Sequence, residues 1–143
     1  MPTSADDALD LLVDTSVAVA LTVADHRHHE ATFLALEGRR LGLAGHAPFE
    51  AFSVLTWLPP PARRSPAVVA RVLAEGFPHT RFPSADGTRA LVSRLGRSDI
   101  AGGSVYDALV GATAAEYGLT LATRDRRALD TYRKLEVEVQ LLD

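Results

Sequence analysis

Four acidic residues, Asp14, Glu50, Asp107 and Asp125, stand where a strand ends or a helix begins in the pattern of this chain. Asp14 closes the apolar run 9–13, and Asp125 leaves the apolar run 119–122 through Thr123 and Arg124. Glu50 is the only charge in the apolar stretch 48–58, and Asp107 lies just inside a run of small residues that opens at Ser104. In an open parallel sheet ligands bind beyond the carboxyl ends of the strands. These positions therefore gather four carboxylates at one edge. Carboxylates about 4 Å apart repel by ~4 kcal/mol per pair at an effective dielectric of about 20, so such a cluster needs cations or protons. The chain has no cysteine, and the histidines of His26-Arg27-His28-His29 lack the His-Glu-x-x-His spacing and read as a solvated helix start. An all-oxygen set selects hard ions, Mg2+ or Mn2+. Such ions bind phosphate oxygens, activate water and stabilise a leaving oxygen, and phosphodiester hydrolysis uses all three.

Each carboxylate also has a purely structural explanation. Asp14, like Thr15 or Ser16, can cap the helix that begins near Val17. Asp107 falls three residues after Ser104, the Ser/Thr-x-x-Asp/Glu spacing of a capping box. Glu50 complements the dipole of its helix, and Asp125 can cap a short helix over 126–132. A helix start fixes the direction of a carboxylate that an ion can then use, so the two explanations are compatible. Arg124, Arg126 and Arg127 flank Asp125, either to hold a phosphate backbone or as a solvated face. Lys134 is the only lysine among 15 basic residues, a bias that Ala/Arg-rich composition explains by itself.

The elements that must position these side chains alternate. Strands are predicted over 9–13, 41–44, 119–122 and 137–141, with a short edge strand over 79–82 between prolines. Between them, helical patterns run over 17–21, 26–36, 48–58, 66–76 and 84–95, and from a Ser104 cap to a Gly118 stop. In the 66–76 helix Val68, Val69, Val72 and Leu73 share the inner side. Phe49, Phe52, Leu55, Trp57 and Leu58 cover more than one face of 48–58, so that helix is either deeply buried or shared with a partner. The order implies one α/β domain over 1–143 with a mainly parallel sheet.

Composition narrows the function classes. The formal charge of -3 and pI of 5.9 argue against coating nucleic acid by general basicity, although two divalent ions would bring the charge to about +1. The absence of cysteine excludes disulfides and thiol chemistry. The acidic opening 1–7 is unlike a signal peptide and no apolar run reaches the ~18 residues of a membrane span, so a cytoplasmic protein with no membrane association is expected. No Gly-x-Ser-x-Gly elbow, P-loop or dinucleotide motif occurs.

The ordered set Val13-Asp14-Thr15-Ser16, Glu50, Tyr106-Asp107-Ala108-Leu109 and Thr123-Arg124-Asp125-Arg126-Arg127, with Tyr132 beyond, resembles PIN-domain ribonucleases. It is most similar to the VapC-type toxins of type II toxin–antitoxin pairs. The resemblance implies a three-layer domain with a mainly parallel sheet of about five strands between helices. It implies an endoribonuclease that cleaves single-stranded or loop regions of RNA with Mg2+ or Mn2+ held by Asp14, Glu50, Asp107 and Asp125. It further implies hydrogen-bonding support from Ser16 and Thr123, a homodimer, and a small antitoxin that inserts a segment into the active-site groove. The alternative is a catalytically silent PIN module that binds RNA or a partner. A receiver-like domain would need a lysine beside an acidic pair, which Lys134 lacks, and an aspartyl phosphatase would need Asp-x-Asp where Ser16 stands.

Overall fold

The computed structural model describes residues 10–143. The acidic opening and Leu9, expected to start the first strand, lie outside the described residues. Four strands, β1 (Asp10–Val13), β2 (Arg40–Leu43), β3 (Leu121–Thr123) and β4 (Val139–Leu141), pair in parallel in the order β2-β1-β3-β4. β1 sits in the middle because its Leu11, Leu12 and Val13 are apolar on both faces, and all three are fully buried. Parallel pairing sends every chain crossing through a helix and puts the carboxyl ends of all four strands at one edge.

The helices are α1 (Thr15–Thr22), α2 (His29–Ala35), α3 (Ala47–Trp57), α4 (Pro66–Gly76), α5 (Ala85–Arg97), α6 (Ser104–Tyr117) and α7 (Leu129–Lys134). Their starts follow local chemistry: Ser65 and Ser84 accept the backbone N–H of Val68 and Gly87, and Pro66 occupies the first turn of α4. Gly118, in the left-handed conformation at φ 65°, ends α6 as its sequence position predicts. Val69 and Leu73 of α4 are buried, as expected of its inner side. The core joins β1, the inner faces of α1, α3 and α4, and the small residues of α6.

Three expectations need correction. Among the described residues the sheet has four strands rather than about five, because the 79–82 segment pairs with β2 only through a single Ala44–Arg81 bridge. His79 and Arg81 donate backbone N–H bonds to Leu41 and Leu43, but the intervening Leu43 N–H goes to the Thr80 hydroxyl. Prolines at 78 and 83 bound the segment, and the approach is so close that a Cβ on Gly42 would lie 2.1 Å from the His79 carbonyl oxygen. Second, of the two alternatives for α3, deep burial does not hold and a face shared with a partner remains: Phe49 is 67% and Trp57 78% exposed. Third, Ser104 does not cap α6. It is the first helical residue behind Gly103, and α6 has no side-chain cap, so the capping box with Asp107 is not formed. Among the described residues no helix is long and apolar enough to cross a membrane.

Candidate active site

Asp14 leaves β1 at its carboxyl end and starts α1, where its side chain accepts the Val17 N–H at 3.3 Å. The cap is one part of a denser network. Oδ1 also accepts from the Ser16 hydroxyl at 2.5 Å, while Oδ2 accepts from the hydroxyls of Thr123 and, at 3.1 Å, Tyr132. Ser16 Oγ in turn accepts the Arg124 N–H at 2.9 Å, and Thr123 Oγ1 accepts the Asp125 N–H at 3.0 Å. The Ser16 and Thr123 hydroxyls thus each accept a hydrogen bond from a backbone N–H of the loop after β3 and donate one to Asp14. With the residue 5% exposed, burial pushes the Asp14 carboxyl up, and the bonds from Ser16, Thr123, Val17 and Tyr132 oppose that rise.

Tyr132 reaches Asp14 because α6 is thin where it passes. A Cβ on Gly111 would stand 2.9 Å from the Tyr132 ring. Burial, first, and then the Asp14 charge push the phenol well above its ordinary value, so it remains a donor.

Without a Ser104 cap, Asp107 projects from the first turn of α6 as a half-buried carboxyl with no capping duty. Its pKa is pushed up to about 6, by burial most of all, then by the charges of Asp125, Glu50 and Asp14, while Arg127 pulls the other way. That ranking is an electrostatic record of the convergence that the sequence spacing implies. Glu50 is exposed in the first turn of α3. Asp125 behaves as the sequence suggests, capping the turn Arg126–Ala128 by accepting the Arg127 N–H at 3.0 Å.

All four carboxylates line one open cleft of about 480 Å³, together with Ser16, Arg124, Arg127 and Tyr132. Arg124 donates from Nη1 to the Thr32 hydroxyl at 3.2 Å, and Arg127 lies 3.4 Å from Asp125. Arg126, grouped with them by sequence, instead pairs with Asp143 and is absent from the cleft lining. His26 and His28 do line the cleft, although their spacing kept them out of the expected site. The signal for them is positional, since the turn after α1 must return past the carboxyl edge. Tyr132, which the resemblance includes without a role, is 1% exposed, and a phenol buried so deeply must find an acceptor inside.

The donors are hard oxygens, which suits Mg2+ or Mn2+. Among the described residues no three His, Cys, Asp or Glu side chains stand in ready coordination geometry.

The family model described as "PIN domain" matches residues 11–134. Ribonuclease VapC27 of Mycobacterium tuberculosis (strain ATCC 25618 / H37Rv) is 46% identical over 129 residues, covering 90% of this chain and 94% of that protein. Ribonuclease VapC40 of M. tuberculosis (strain CDC 1551 / Oshkosh) is 45% identical over 131 residues, covering 90% and 96%. In fold the chain resembles FitAcB from Neisseria gonorrhoeae, at TM-score 0.67 and 18% identity over 90% of this chain and 95% of that one. It also resembles a chain of FitAB bound to an IR36 DNA fragment, at TM-score 0.64 and 16% identity over 92% and 94%.

Proposed function

The chain belongs to the PIN-domain family, with VapC-type relatives, and we propose that it is a metal-dependent endoribonuclease toxin. Its substrate is the single-stranded or loop region of an RNA, and its ion is Mg2+, with Mn2+ as the alternative. The observation that carries this reading is the convergence of Asp14, Glu50, Asp107 and Asp125, from four separate parts of the chain, on one cleft.

Asp14, Glu50, Asp107 and Asp125 would hold the cation. Bound there, a hard divalent ion supplies Lewis-acid polarisation of phosphate and activation of water. The protein's part is orientation and charge. Ser16, Thr123 and Tyr132 fix both Asp14 oxygens, leaving little freedom to be lost on binding. Asp107, crowded by its acidic neighbours, has most to gain from a neutralising cation. Arg124 and Arg127 supply fixed positive charge along the cleft for the phosphate backbone, with Arg126 outside that contact. A small antitoxin inserting a segment into the same cleft would silence it, and the exposed face of α3 carrying Phe49 and Trp57 suits a homodimer contact.

The lack of a ready three-ligand shell among the described residues is the one observation favouring a silent RNA- or partner-binding module. Incubation of the purified protein with single-stranded RNA separates the two. The nuclease cleaves in Mg2+ or Mn2+, stops with excess chelator and resumes when the ion is restored. Equal cleavage under chelation would defeat the metal mechanism, and saturable binding without cleavage would establish the silent module.

A further inference from the structure

The acid cleft continues into a second hollow of about 580 Å³ that shares Glu50, Asp107, Asp125 and Arg127 with it and adds His46 and Tyr106. The two rings stack, centroids 4.7 Å apart and planes 29° from parallel. Their backbone positions tie them to the acids. His46 precedes α3, and its carbonyl accepts the Glu50 N–H at 3.1 Å, so ring and carboxylate are one helical turn apart. Tyr106 immediately precedes Asp107 in the first turn of α6. Tyr106 is 54% exposed although the imidazole stacks on it, and both rings line the hollow.

The exposed Tyr106 ring stands beside a row of carboxylates and is held in place by its stack on His46. It has a clear use if a planar, uncharged ring must be held next to a phosphate. Nucleobases stack on such platforms irrespective of sequence, and they are free to do so only when unpaired. Arg127, at the junction of the two hollows, stands where the backbone between base and scissile phosphate would run. We propose that the stacked His46–Tyr106 pair is a positioning platform for the nucleobase adjacent to the scissile phosphate, making unpaired RNA the substrate of the cleft. This rests on the ribonuclease reading and adds to it the residues that hold the base. The competing role is a staple between the starts of α3 and α6, which would set Glu50 against Asp107 and touch no substrate.

The test is an oligoribonucleotide carrying a single 2-aminopurine walked along its length, bound to the full chain in Ca2+ and cleaved in Mn2+. Stacking on the platform quenches the probe at one position next to the cleaved bond. Tyr106→Ala abolishes the quench and raises KM by about tenfold with little change in kcat, whereas Tyr106→Trp preserves both. An abasic nucleotide at that position raises KM for the unmodified protein by a similar factor and costs Tyr106→Ala nothing further. A quench that survives Tyr106→Ala, or a fall in kcat of equal size on intact and abasic RNA, would overturn the platform, the latter in favour of the staple. Cleavage with no quench at any position overturns the platform alone. A quench that Tyr106→Ala abolishes, without cleavage in Mn2+, overturns the ribonuclease reading and with it the platform's place beside a scissile phosphate, leaving base stacking on Tyr106 alone, and failure to bind or cleave overturns both.

Discussion

β1 carries an aspartate at each end, and the two are treated in opposite ways. Asp10, at the amino end, lies 2.8 Å from Arg40 Nε and 3.5 Å from Arg81. The sheet builds that pairing: parallel register sets Arg40 opposite Asp10, and the Ala44–Arg81 bridge brings in the second guanidinium. Asp14, just past the carboxyl end, has hydroxyls for side-chain partners, and its neighbours across the cleft are more carboxylates. One end of the sheet closes its charge within the chain, and the other leaves it open. Charge closed within the chain is the mark of an architectural pair, whereas charge left open needs something from outside.

Substitutions should separate the two ends. The largest effect is expected from Asp107→Asn, which removes a proposed cation ligand and lowers RNA cleavage by about a thousandfold while circular dichroism remains native. Tyr132→Phe keeps the packed ring but removes one of the two hydroxyl donors on Asp14 Oδ2, leaving that of Thr123, and should cost about tenfold in cleavage rate or ion affinity, measured by ion titration. Asp10→Asn should do the reverse of Asp107→Asn. It loosens a partly buried ion pair, costs about 1–2 kcal/mol in urea unfolding, and leaves cleavage per folded molecule unchanged.

The smallest effect is in the pH dependence of the metal-free protein. The Asp107 carboxyl is raised from 3.8 to about 6, so its folded form prefers the proton. The contribution is fully present below pH 3.8 and is lost as pH rises through about 6. Asp107→Asn should therefore melt higher than the unsubstituted chain at pH 7, with the advantage vanishing near pH 4. Solvent screening of a half-exposed group limits that advantage to about 1 kcal/mol, or about 3 °C in Tm. Saturating Mg2+ should reverse the order, because the ion favours the ionised carboxylate.

Much of this contrast is legible in the sequence. The unbroken apolar run before Asp14 marks a central parallel strand, and the small residues after Asp107 mark a helix pressed close to neighbours. The acids at strand and helix ends then share an edge because parallel topology leaves them no other. What depends on long-range approach is not legible. The Ser104 spacing satisfies a capping box, yet the chain enters α6 one residue earlier, at Gly103. The fifth strand is lost to a hydroxyl: Thr80 intercepts the Leu43 N–H that a ladder would use. Asp10, which interrupts an apolar run, carries no hint of Arg40 or Arg81, since register between distant segments decides those partners. The arginine run after Asp125 reads as one patch, although Arg126 turns to Asp143 while its neighbours line the cleft.

Mn2+ binding, followed by calorimetry at pH 7 on three forms of the metal-free protein, tests most directly whether the open charge is a cation site. Saturable binding is expected for the unsubstituted chain and for Asp10→Asn, and its loss is expected for Asp107→Asn. Equal binding by Asp107→Asn, or none by the unsubstituted chain, would contradict the assignment of the carboxyl edge as the place where the ion is held.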